Sequence, residues 1–161
     1  MGFLSGVFKK KEVEIASPAS GRCVSIKEVP DPTFSEEILG KGVAVRPSEG
    51  KFYAPADGKI NTLFPTKHAI GITTPEGVEI LLHVGLDTVN LKGEHFTAHV
   101  EEGASVKKGD LLLEADLQAI QAAGYQTITP VLVCNTADFA DVIPAAEADV
   151  TPGDNILRIK L

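Results

Sequence analysis

The segment HAIGITTPEGVEILLHV, residues 68–84, sets two apolar runs on either side of a turn. Thr74-Pro75-Glu76-Gly77 suits a four-residue turn, because proline presets an early turn position and glycine tolerates a late one. The flanking runs, Ala69–Thr73 and Val78–Val84, are aliphatic and rich in β-branched residues, as strands are. Closing a hairpin there sets Thr73 against Val78, Gly71 against Ile80, Ala69 against Leu82 and His68 against His83. Directly opposed residues share a sheet face, with Cβ atoms roughly 4.5–5.5 Å apart. This register therefore brings two imidazoles together, with Thr66, Ile70 and Leu81 expected on the same face. A slip of one residue would send one histidine to the other side.

The same grammar recurs outward from this hairpin. Further strands are expected at Val13–Ala16, Arg22–Lys27, Gly42–Arg46, Gly58–Phe64, Phe96–Glu101, Leu111–Ala115, Thr129–Asn135 and Asn155–Lys160. The 15 Gly and 10 Pro supply the turns between them. An all-β chain follows, an antiparallel β-sandwich or barrel-like fold with one or two short helices. One helix starts at an Asp116 cap, runs through Leu117, Ile120 and Gln121, and ends at Gly124. A shorter helical turn is expected over Thr33–Leu39.

Two pairs of segments echo each other. Residues 16–22 (ASPASGR) resemble 53–59 (YAPADGK), and 106–112 (VKKGDLL) resemble 150–156 (VTPGDNI). Each is a glycine turn feeding a strand, which reads either as a sheet built from duplicated hairpins or as a turn sequence common to many β chains. No linker interrupts the chain, so residues 13–161 read as one domain behind a flexible lead, 1–12.

Composition narrows the function classes. The net charge is −7 and no basic stripe appears, which argues against a nucleic-acid binder. Cys23 and Cys134 match no metal or redox spacing and read as free, partly buried thiols of a reducing compartment. No apolar run reaches membrane-spanning length. Residues 1–8 are apolar and precede Lys9, Lys10 and Lys11, the reverse order of a signal peptide. This lead reads as a disordered tail or as a short amphipathic segment, residues 1–11, in weak contact with a membrane surface.

Two adjacent imidazoles suit phosphoryl transfer. A neutral imidazole is a nucleophile near neutral pH, and two side by side resist being charged together. One can attack while the other hydrogen-bonds the transferred group, whose charge is spread over three oxygens. Two histidines on a sheet face can equally be structural. They can also hold zinc, which needs a third ligand, and Asp87 is the nearest carboxylate following His83. His95 and His99 read as solvent-facing residues opposite Phe96, Ala98 and Val100.

Phe64-Pro65-Thr66-Lys67-His68-Ala69-Ile70-Gly71 and Glu79-Ile80-Leu81-Leu82-His83-Val84-Gly85-Leu86-Asp87-Thr88-Val89 resemble the two histidine segments of the glucose-type enzyme IIA family of the bacterial phosphoenolpyruvate-dependent sugar phosphotransferase system. Asp31-Pro32-Thr33-Phe34-Ser35, Gly40-Lys41-Gly42, Leu91-Lys92-Gly93-Glu94 and Ile156-Leu157-Arg158-Ile159-Lys160 extend the likeness to the C-terminus. The resemblance implies a β-sandwich in which His83 is phosphorylated, His68 supports the phosphoryl group and Thr66 hydrogen-bonds within the pair. It implies a cytoplasmic phosphotransferase component, free or peripheral at the inner face of the membrane. Its donor would be the phosphocarrier HPr, its acceptor a cysteine on the enzyme IIB domain of a sugar permease, and neither step would use a cofactor. Its phosphorylation state could also act as a regulatory signal.

An apolar disc for both partners would draw on Phe34, Phe64, Ile70 and Leu81, whereas Val84 alternates away from His83 and reads as core. Asp31 and Asp87 match acidic positions that meet basic partner residues and can also serve as turn or cap residues. His95 stands where glycine is expected, and Leu81 and Val84 stand where aromatic residues are frequent.

Overall fold

The computed structural model describes residues 11–161. The expectations for the lead and its membrane contact therefore lie outside the described residues, except that Glu12 already belongs to the first strand. The strands are β1 (Glu12–Ala16), β2 (Gly21–Ser25), β3 (Lys41–Pro47), β4 (Lys51–Tyr53), β5 (Gly58–Leu63), β6 (Ala69–Thr73), β7 (Glu79–His83), β8 (Phe96–Ala98), β9 (Ser105–Val106), β10 (Leu111–Ala115), β11 (Thr129–Val133), β12 (Asp141–Pro144), β13 (Ala148–Val150) and β14 (Asn155–Lys160).

Pairing is antiparallel throughout, as expected. An eight-stranded sheet runs β13-β2-β3-β11-β7-β6-β5-β9, and two three-stranded sheets run β1-β14-β12 and β4-β10-β8. The long sheet is the same pattern read from either end: β13, β2, β3 and β11 on one side answer β9, β5, β6 and β7 on the other.

The sequence echoes are echoes in space. Ser17 N donates to Asp154 O at 2.7 Å and Gly153 N to Ser17 O at 3.3 Å. In the other half Ala54 N donates to Asp110 O at 2.8 Å and Gly109 N to Ala54 O at 2.9 Å. The two halves are also stitched reciprocally, Ala16 N to Pro55 O at 2.9 Å and Tyr53 N to Pro18 O at 2.7 Å. Each turn is closed by its own aspartate, with Lys107 N on Asp110 Oδ2 and Thr151 N on Asp154 Oδ2, both at 2.8 Å.

Several boundaries move for local reasons. β2 stops at Ser25, whose hydroxyl accepts from Lys27 N and starts a 3-10 turn over Ile26–Glu28. β11 stops at Val133, whose carbonyl accepts from Thr136 Oγ1 at 2.6 Å. β8 ends at Ala98, short of Glu101. The helix Leu117–Ala122 forms as read, with Asp116 Oδ1 accepting from Ala119 N at 3.1 Å and Gly124 left-handed at φ 96°. The other helical turn is Pro32–Ser35, earlier than Thr33–Leu39. Asp31 caps it, Pro32 fits its first position, and Glu37 ends it in the left-handed region at φ 59°. Strands β4, β9, β12 and β13 were not expected. They are two to four residues long and carry no apolar alternation.

The register of the central hairpin is also corrected. Thr73 pairs with Glu79, Gly71 with Leu81 and Ala69 with His83, one residue away from the expected pairing. The loop is three residues, not four. Thr74 N donates to Val78 O at 3.0 Å, Gly77 N returns to Thr74 O at 2.9 Å, and Gly77 sits at φ 88°. A type I turn followed by a left-handed residue is a common three-residue hairpin loop, and glycine takes that last position without strain.

The pleat then separates two apolar layers. Ile70, Ile72, Ile80, Leu82 and Val84 face the main core. Leu81 faces the other side, against a second cluster of Val24, Ile26, Val29, Phe34, Ala44, Leu86, Ile128 and Leu132.

Candidate functional site

His83 ends β7 on the side of Leu81, not of Ile70. Immediately after it the chain turns at Gly85, φ 78°, and Gly85 O lies 2.8 Å from His83 Nδ1. A carbonyl oxygen only accepts, so Nδ1 carries the proton and Nε2 keeps its lone pair. The imidazole is thereby fixed as a nucleophile through one defined nitrogen.

His68 lies just ahead of β6, directly after the turn that Lys67 N closes on Phe64 O at 2.7 Å. Lys67 is left-handed at φ 60°, and His68, outside the pleat, is not bound to its alternation. Its ring meets that of His83 edge-on, with centroids 4.8 Å apart and planes at 84°. The imidazoles are thus adjacent despite the corrected register, because one of them sits beyond the strand's end. The backbones are tied as well, Val84 N donating to His68 O at 2.7 Å. Thr66 Oγ1 lies 2.6 Å from His68 Nδ1. When the hydroxyl donates, His68 Nε2 bears the proton and is a donor beside His83.

Two aromatic rings frame the pair. Phe34 packs on His83 at 4.9 Å and 57°, and Phe64 on His68 at 5.4 Å and 75°. Burial and the neighbouring His83 lower the His68 pKa to about 4. Burial also lowers that of His83, opposed by the Gly85 carbonyl and by the carboxylates of Asp31 and Asp87. Both rings are neutral at pH 7.

The structure thus brings His83, His68 and Thr66 into one site and separates some of the other candidates. Ile70 is 0 % exposed in the main core, so it is not part of any surface around the histidines. Thr66 and Leu81 do not share a face with it. Phe34 is 4 % exposed and acts as the wall behind His83. Phe64 is exposed and Leu81 half-buried. Val84 is core, as read. Asp31 is a helix cap, its Oδ1 accepting from Thr33 N at 3.0 Å, while Asp87 is exposed and left-handed at φ 59°.

Sequence reading missed Ile38, Leu39 and Val89, which are 66 %, 41 % and 47 % exposed. Ile38 and Leu39 follow the turn that carries Phe34, and Val89 follows Asp87. The available signal was an apolar pair directly after a helix stop, where solvent-facing residues are normally polar.

His95 and His99 are exposed, and His99 Nε2 meets Glu114 Oε2 at 2.8 Å. His95 adopts φ 73°, a conformation that glycine takes more readily. Cys23 is buried, whereas Cys134 is exposed rather than partly buried. Among the described residues no group of three or more His, Cys, Asp or Glu side chains is placed to hold a metal ion.

A family model described as phosphoenolpyruvate-dependent sugar phosphotransferase system, EIIA 1, matches residues 13–139. The glucose-specific EIIA component of Oceanobacillus iheyensis is 43 % identical over 150 residues, covering 92 % of this chain and 91 % of that protein. The β-glucoside-specific EIIBCA component of Halalkalibacterium halodurans is 47 % identical over 91 % of this chain, which spans only 23 % of that longer protein. Glucose permease IIA from Mycoplasma capricolum superimposes with a TM-score of 0.88 at 37 % identity, covering 94 % of this chain and 97 % of that one.

Proposed function

The chain belongs to the EIIA 1 family of the phosphoenolpyruvate-dependent sugar phosphotransferase system and is a phosphoryl-carrying component of it, and we propose that it accepts the phosphoryl group on Nε2 of His83 from HPr and delivers it to a cysteine of an enzyme IIB domain. The fusion of EIIA to B and C components in relatives such as the β-glucoside EIIBCA proteins supports a IIB-type partner. A cytoplasmic site of action fits this role. No helix among the described residues is long and apolar enough to cross a membrane, and any membrane contact would fall to residues 1–11.

The bond from His83 Nδ1 to Gly85 O carries the proposal, because it leaves Nε2 as the unprotonated nitrogen of a ring whose centroid is 4.8 Å from that of His68. The lone pair of Nε2 attacks phosphorus, and the donor's P–N bond breaks with its electron pair returning to the donor imidazole. His68, oriented by Thr66, hydrogen-bonds a phosphoryl oxygen. For onward transfer a thiolate attacks, and the P–N bond to His83 breaks with its electron pair returning to Nε2. Exposed Phe64 and half-buried Leu81 belong to the partner-facing surface, and Asp31 and Asp87 supply charge for basic partner residues.

Reconstitution with phosphoenolpyruvate, enzyme I and HPr tests this reading. Intact mass should show one acid-labile phosphoryl group, absent in His83→Ala. His68→Ala should accept the group and pass it on at least about tenfold more slowly. Wild-type behaviour of His68→Ala in both half-reactions would sink the paired-imidazole mechanism.

A further inference from the structure

We propose that Thr88 is a positioning residue of the phosphoryl-transfer site: its hydroxyl holds the Val84 carbonyl, so that the next carbonyl, that of Gly85, stays on His83 Nδ1. The proposal rests on the reading of His83 as the phosphoryl acceptor.

Thr88 is 0 % exposed. A buried hydroxyl is costly unless bonded, and this one donates to Val84 O at 2.5 Å. Backbone hydrogen bonds pin the same loop. Val84 N donates to His68 O at 2.7 Å, Leu86 N to Gln126 O at 3.1 Å and Asn90 N to Asp87 O at 3.0 Å. The Thr88 methyl packs on Gly85 so closely that a Cβ there would lie 2.6 Å from it and 2.7 Å from Gln126 O. The Val84–Gly85 peptide plane is therefore held from its carbonyl end by one hydroxyl. Gly85, at φ 78°, joins that plane directly to the next peptide, which carries Gly85 O. A rotated plane would release Nδ1 and let the ring proton move to Nε2, which removes the lone pair that attacks phosphorus. In metal sites, partners that orient a histidine through its other nitrogen are worth about 10–100-fold in affinity or activity, and the same orienting logic applies to His83.

Thr88→Val keeps the shape and loses the hydroxyl, and Thr88→Ser keeps the hydroxyl and loses the methyl. The first readout is the pair of His83 ring 15N shifts in the unphosphorylated protein at pH 8. Wild type and Thr88→Ser should show one tautomer protonated at Nδ1, and Thr88→Val a mixture. The second readout is the phosphorylation rate, about tenfold lower in Thr88→Val and within about twofold of wild type in Thr88→Ser. Thr88→Cys exchanges only oxygen for sulfur relative to Thr88→Ser, so this pair decides the matter if Thr88→Val does not fold. Unchanged ring shifts and rate in folded Thr88→Val, or in Thr88→Cys against Thr88→Ser, overturn the proposal. A wild-type protein phosphorylated elsewhere than His83 would instead overturn the reading beneath it, and would show in the mass and phosphorus spectra rather than in these shifts.

Discussion

His68 is held neutral by its surroundings, and that has a consequence for stability. Its pKa falls from 6.5 unfolded to about 4 folded, through burial and then through His83. Between those values the unfolded chain binds a proton that the folded one refuses, so acidification favours unfolding. The contribution is complete above pH 6.5 and is lost as pH falls towards 4. Wild type should therefore lose on the order of 3 kcal/mol between pH 7 and pH 4 that His68→Gln retains, measured by urea denaturation at each pH. Equal pH dependence in the two proteins would show that the ring is not desolvated as described.

The pairing of His68 with His83 was legible in the sequence, but through a register that is one residue out. The rings meet because His68 lies past the strand's end, after left-handed Lys67. Alternation cannot see a residue that has left the pleat. The misplacement of Ile70 has the same origin: one residue of register moves it from the histidine side into the core.

At the scale of elements, the hairpin between β6 and β7 shows what fixed the register. Gly77 is left-handed with nothing within 4 Å of a Cβ built on it, so Gly77→Ala adds only backbone strain. It should cost about 1 kcal/mol and leave phosphorylation unchanged. Gly85→Ala adds a collision with Thr88 and with Gln126 O to the same strain. Its loss should exceed that of Gly77→Ala, and its phosphorylation rate should fall. Denaturant midpoints and rates for the two variants check this, and equal losses would contradict the close packing at Gly85. The long strands were readable from aliphatic and β-branched runs, and the helix at Leu117–Ala122 from its Asp116 cap. The four missed strands were not readable. Their two to four residues pair through backbone groups supplied by distant segments, as Gly58 pairs with Val106.

At the scale of the whole molecule, the described residues form two matching β units, and the proposed chemistry lies in one of them. β7 and β11 lie side by side at the middle of the palindromic sheet. β7 carries His83, whereas β11 offers only apolar side chains on Thr129–Val133 beyond its first residue. The likeness of the two units was visible as two faint echoes, because both turns need the same glycine and aspartate to close. The family was visible in the two histidine segments, through their resemblance to those of the EIIA family, and the proposed transfer site rests on the same residues.

With Gly85 O on Nδ1, the proposed phosphoryl acceptor of His83 is Nε2. A proton–nitrogen correlation spectrum of the phosphorylated, 15N-labelled protein distinguishes phosphorus on either ring nitrogen and identifies the residue. We expect the group on Nε2 of His83, with Nδ1 still protonated. A phosphoryl group on Nδ1 of His83, or on His68, would rule out Nε2 of His83 as the acceptor.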